Sequence, residues 1–217
     1  MKYLLLLLPL LLFGCDLRDP SQGPVTTEIR KGSRWTLRTG SSPEEVYAQL
    51  QALGREKALD RVGVVGRMPA ARPAELKSDL ALYDFLTLET STGRTERVVF
   101  RLGEAAVVAI EAGGALPDSV GRWPAENSIF VGDPLEVLPE KLRLIYQQPE
   151  YAGYVLSLPD KPLRRAYDPG MAEFSEWAFT FEEGAAEFTD RFSVRLYFEG
   201  TGLETIRVTH QRFETVN

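Results

Sequence analysis

Twice along this chain, apolar residues at helical spacing give way to strict alternation, and that recurrence limits the fold more than any other feature. In the first copy, Ser42-Pro43-Glu44-Glu45 reads as a helix start. Ser42 can accept from free backbone N–H groups, Pro43 suits the first helical position, and the glutamates suit the positive end of the helix. Val46, Leu50 and Leu53 then share one face, and Gly54 can end or kink the helix. In the second copy, Leu138-Pro139-Glu140-Lys141-Leu142 opens a shorter helix with Leu142, Ile145 and Tyr146 on one face and Pro149 as its stop. Its cap is poorer, because Leu138 has no side-chain oxygen to offer.

After each helix the period falls to two. Val62 to Met68 and Ala152 to Leu158 read as strands, and Gly63/Gly153, Val65/Val155, Met68/Leu158 and Pro69/Pro159 align without a gap. A polar loop containing Pro and Arg follows in both copies. Three further strand candidates come next: Tyr83–Glu89, Arg97–Leu102 and Ala106–Ile110 in one copy, Glu176–Glu182, Arg191–Phe198 and Glu204–Thr209 in the other. Ser91-Thr92-Gly93, Glu183-Gly184 and Gly200-Thr201-Gly202 read as the turns. Trp177, Phe179 and Phe181 alternate with polar neighbours and should face a core, as should Phe192 and Phe198. The expected fold class is therefore α+β: two repeats, each a helix packed on a four-stranded antiparallel meander. They would span residues 29–112 and 126–217, with 113–125 as linker.

This order resembles the BLIP-like fold of the BamE/SmpA-type envelope lipoproteins and of the tandem β-lactamase inhibitory protein. The residues carrying the likeness are Gly40-Ser41-Ser42-Pro43-Glu44-Glu45-Val46 with Leu50 and Gly54, followed by the strands above. The likeness implies a fold of this kind over nearly the whole mature chain, and no functional residue is carried over from either family.

The amino terminus points to the cell envelope. Lys2 precedes an apolar run from Leu4 to Phe13, broken only by Pro9. That run is too short to span about 30 Å of hydrocarbon, so residues 1–14 read as a secretory signal. Leu12-Phe13-Gly14-Cys15 resembles the lipobox of bacterial lipoproteins. The resemblance implies cleavage before Cys15, a diacylglycerol thioether on its sulfur and an acyl chain on its amino group. Residues 15–28, with Pro20, Gly23 and Pro24, would then be a tether between lipid and fold. The expected location is the bacterial cell envelope, periplasmic or surface-facing, with the membrane reached through the lipid.

Composition narrows the chemistry. Cys15 is the one cysteine, so neither an intramolecular disulfide nor a cysteine-based zinc site can form. The one histidine, His210, makes a histidine-based metal site improbable, and no cofactor motif or phosphate-cradling glycine loop is present. The net charge of −6, and the absence of any basic run beyond two residues, argue against nucleic acid and polybasic membrane docking. Without a nucleophile motif, His210 reads as a surface or strand-edge residue, and adjacent acids such as Glu44-Glu45 or Glu182-Glu183 as solvated pairs. No catalytic residue is nominated and the chain is not expected to be an enzyme. The expected function is protein binding or scaffolding with an envelope partner, the alternative being carriage of an apolar ligand. Tyr151, Tyr154, Tyr167 and Tyr197 are the partner-binding candidates, because tyrosine tolerates water and dominates binding hot spots.

Overall fold

The computed structural model describes residues 23–90, 96–113, 121–124, 128–185 and 187–214. The signal, Cys15 and the Ser91-Thr92-Gly93 turn lie outside them, as does most of the expected linker.

In chain order the elements are β1 (Val25–Ile29), β2 (Ser33–Arg34), β3 (Leu37–Arg38), α1 (Pro43–Lys57), β4 (Arg61–Val64), β5 (Phe85–Thr90), β6 (Glu96–Leu102), β7 (Val107–Gly113), β8 (Arg122–Trp123), β9 (Ile129–Phe130), α2 (Leu138–Ile145), β10 (Val155–Ser157), β11 (Lys161–Pro162), β12 (Glu176–Ala185), β13 (Phe188–Glu199) and β14 (Gly202–Glu214). They form a six-stranded sheet, β1-β14-β13-β12-β4-β11, and a four-stranded sheet, β10-β5-β6-β7, beside two small hairpins. Every strand pairing is antiparallel.

The local chemistry at α1 follows its sequence. The Ser42 side chain accepts from the Glu45 backbone N–H, and the Glu45 carboxylate accepts from the Ser42 N–H at 2.8 Å, so the capping box is complete. At the other end Ala58 takes a left-handed conformation and the chain folds back. A Cβ on Gly54 would sit 2.4 Å from the Leu59 carbonyl oxygen, which is why only glycine fits that turn. Helix α2 has no side-chain cap and is instead fed by a 3₁₀ turn over Leu135–Val137.

The expected fold class is overturned. The chain is mostly β, with two α-helices, and it does not divide into two successive helix-on-four-strand repeats. Helix α1, from the first half, packs on β12, β13 and β14 from the second: Val46, Tyr47, Leu50 and Leu53 meet Trp177, Phe179, Val194, Leu196, Ile206 and Val208. Helix α2, from the second half, packs on the first-half strands, with Leu138, Leu142 and Ile145 against Leu86, Leu88, Val98, Phe100 and Ile110. The short strands cross over as well. β4 pairs with β12, and β10 pairs with β5. The ungapped alignment also fails locally, since Gly63 lies inside β4 whereas Gly153 lies in a turn before β10.

The physical reason lies in what alternation encodes. A period of two says which side chains face a core, but not which core. A four-residue strand such as β4 carries too few side chains to specify its neighbour, and the connection leaving it, residues 65–84, is long enough to reach either sheet.

Inward-facing side chains of the six-stranded sheet line up across three strands as Trp177/Leu196/Ile206, Phe179/Val194/Val208 and Phe181/Phe192/His210. Trp35 closes the third row, its ring 5.2 Å from Phe181 and 5.8 Å from Phe192. The aromatic run is thus core, as its alternation suggested.

Candidate functional site

The two sheets meet where the chain changes from one to the other. One crossover runs from β4 to β5, the other from β10 to β11 and on toward β12. Among the described residues, the most extensively bonded buried charge lies between these crossovers.

Asp168 is 2% exposed and sits at its centre. Its Oδ1 accepts from the Gly170 backbone N–H at 2.9 Å, capping the 3₁₀ turn Pro169–Glu173. Its Oδ2 accepts from Arg67 at 3.2 Å, from the Ser78 hydroxyl at 3.0 Å and from the Tyr83 hydroxyl. Arg67 also donates to the Tyr83 oxygen, and its guanidinium lies 5.6 Å from the ring centres of both Tyr83 and Phe174. Arg67, Ser78 and Tyr83 belong to the first crossover and Asp168 to the second, so the cluster ties the two together. Burial pushes the Tyr83 hydroxyl up to about 12, with its bond to Asp168 acting in the same direction.

Lys161, fully buried on β11, is a second tie. Its ammonium donates to the Leu82 carbonyl at 2.7 Å and lies 5.3 Å and 5.4 Å from the Tyr47 and Tyr83 rings. Burial lowers its pKa to about 8, against the raising influence of Asp168 and Asp84. Tyr47 donates to the Pro162 carbonyl at 2.8 Å, and burial raises its pKa.

Beside this network opens a cleft of about 320 Å³. Its wall is apolar, formed by Ala70, Leu76, Leu156, Leu158 and Phe174, with Arg67 and Ser78 on its polar side. Met68 stands on the rim at 79% exposure, and an ion pair from Lys77 to Glu173, at 3.1 Å, bridges the two crossovers. The arrangement is a rigid polar floor under an apolar wall with a flexible thioether at the mouth. Such a site suits an apolar side chain and one polar group.

The four tyrosines do not converge on one site. Tyr154 is buried rather than exposed; its hydroxyl donates to Glu96 at 2.6 Å and its ring packs 5.6 Å from Trp123. Tyr151 packs 5.3 Å from the same tryptophan. Tyr167 lies in the other core, between Tyr47 and Trp177. Tyr197 is on the outer face of the six-stranded sheet, with Arg207 4.8 Å from its ring and donating to its hydroxyl at 2.8 Å.

His210 lies within β14 between β1 and β13, not at an edge. Its Nε2 is 2.6 Å from Asp190 and its ring stacks 4.7 Å from Phe192. Arg212 donates two hydrogen bonds to the same carboxylate, and these hold Asp190 down at about 2.

Sequence reasoning missed Arg67, Ser78, Tyr83, Lys161 and Asp168. One signal was present: Asp168 before Pro169-Gly170 is a side-chain-capped turn in an otherwise anonymous loop. The partners of Asp168 come from about 100 residues away, which no local pattern reveals. Among the described residues no helix is long and apolar enough to cross a membrane, and no cluster of three or more His, Cys, Asp or Glu could hold a metal ion. Comparison with known proteins finds no family model, no curated protein and no solved structure that matches this chain.

Proposed function

We propose that this protein is a lipid-anchored component of the bacterial envelope, fastened to a membrane through Cys15, that holds an envelope protein partner in the cleft between its two sheets. The observation that carries this reading is the apolar cleft itself, built on a floor that the Asp168 network keeps rigid. A preorganised floor reduces the ordering cost of association. Met68 at the rim and Leu158 and Phe174 on the wall offer an adaptable surface to an apolar side chain of the partner. The signal and Leu12-Phe13-Gly14-Cys15 support the location.

The alternative, carriage of an apolar ligand, has less support. The inner faces of both sheets are filled by α1, α2 and the aromatic rows, and the cleft beside Asp168, at about 320 Å³, is small for a lipid with two chains.

The test is affinity capture of the full chain, with its native anchor, from detergent-solubilised envelopes. A photo-crosslinking residue at Met68 should join a partner, and Leu158→Glu should abolish the adduct. No enrichment over a lipid-matched control, or an adduct indifferent to Leu158→Glu, would overturn the reading. Lipid co-purifying in native mass spectra would favour the carrier.

A further inference from the structure

At the other end of β4 lies a second cleft, about 550 Å³, between the end of α1, β11 and the start of β5. Its charge pattern differs from the rest of the surface. Elsewhere several arginines have a carboxylate of their own: Arg195 with Glu176, Arg191 with Glu182, Arg143 with Glu140. Here three guanidinium groups share Asp84, which is 12% exposed: Arg164 at 2.6 Å, Arg61 at 3.3 Å and Arg165 at 3.3 Å. Arg55 also lines the cleft, and among the described residues it has no ion pair. The only other acid there is Asp60, 87% exposed and 3.7 Å from Arg61. Three lining cations face two lining anions, and Arg165, which bonds Asp84 without lining the cleft, brings the local excess to two positive charges, in a protein whose net charge is −6.

The donors are unevenly spent. Arg165 is used up, bonding Asp84 and the Leu102 and Gly103 carbonyls. Arg164 and Arg61 each place a single hydrogen bond on Asp84, out of five available N–H groups per guanidinium. The floor beneath them is apolar, made by Leu59 and Leu163.

We propose that this cleft is a binding site for a phosphomonoester. A group of that kind carries about −1.5 to −2 at neutral pH, which matches the local excess, and its oxygens suit the guanidinium fork. The remainder of the ligand rests on Leu59 and Leu163. Arg164 and Arg55 are the recognition residues, Arg61 supports them, and Asp84 holds the guanidinium groups together.

Calorimetric titration of the full chain in nonionic detergent tests this, with phenyl phosphate as probe and ionic strength matched with chloride. The expected result is saturable one-to-one binding, at least tenfold weaker for benzenesulfonate, an aryl oxyanion that lacks the ester oxygen and carries a single charge. Arg164→Gln and Arg55→Gln should each weaken phenyl phosphate at least tenfold; both side chains are exposed, so neither variant tests folding. Arg72→Gln, which removes an exposed pair with Glu75, should change nothing. A short-chain phosphatidic acid distinguishes the natural source. Tenfold tighter binding than phenyl phosphate identifies a lipid headgroup, and equal or weaker binding a soluble phosphomonoester. No saturable binding of either probe, equal affinity for the sulfonate, or affinity unchanged in Arg164→Gln would overturn the proposal.

Discussion

Asp168 shows how one buried charge is stabilised by the groups around it. A carboxylate taken out of water costs several kcal/mol unless its lone pairs are used, and here four donors use them. Asp168→Ala leaves the part-buried Arg67 without its carboxylate, and Ser78 and Tyr83 without their acceptor. We expect a loss of about 3–5 kcal/mol, read as a fall in denaturant midpoint at unchanged slope. Tyr146 is the opposite case. Its buried hydroxyl has no hydrogen-bond partner among the described residues, and burial alone raises its pKa. Tyr146→Phe removes a desolvated group and breaks nothing, so thermal unfolding should show a variant at least as stable as the parent, within about 0.5 kcal/mol. The sequence put Tyr146 on the apolar face of a helix and Asp168 at the start of a turn, and showed the surroundings of neither. Burial and partners are set by segments far apart in the chain, and composition is blind to both.

Helix α1 is the element whose sequence carries most of its structure. The cap, the first-turn acids and the apolar stripe appear where Ser42, Glu44, Glu45, Val46, Leu50 and Leu53 indicated, whereas the helix runs past Gly54 to Lys57 and turns at Ala58. Its stability should accordingly respond to a local change. Ser42→Ala removes the half of the capping box that the serine oxygen accepts, and leaves the backbone N–H of residue 42 still able to donate to Glu45. The expected cost is about 1 kcal/mol, measurable by equilibrium unfolding. The strands of the long meander, β12 to β14, were legible as strands but are longer than expected, and Glu183-Gly184, read as a turn, lies inside β12 paired with Asp190 and Thr189. β4 and β10 were legible as strands but not as members of a particular sheet.

For the molecule as a whole, two consequences can be measured. The first concerns pH. Lys161 is held near 8 in the fold against 10.5 when free, so between those values the unfolded chain binds more protons and stability rises with pH. Tyr83 is raised to about 12 from 10, so above pH 10 the unfolded chain loses its proton first and stability falls. Stability should therefore climb from pH 8, by about 2 kcal/mol, to a maximum near pH 10, and drop beyond it. Lys161→Met should remove the climb and keep the drop, in urea titrations run across that range. The second concerns the anchor. No described core residue precedes Ile29, so under the proposed function Cys15→Ala should release the protein from membranes with its melting temperature changed by less than about 1 °C. A larger change would mean that lipid and fold are not separate.

Helix, strand and inward face are local properties, set by spacings of 3.6 and 2 residues and by side chains a few positions apart, and for that reason they could be read from the residues directly. Sheet membership, the exchange of helices between halves, the Asp168 network and the arginine-rich cleft depend on pairings across about 100 residues. Such pairings are selected by the joint packing of two cores and by the burial of charge between them, and they exist only once the whole chain has folded.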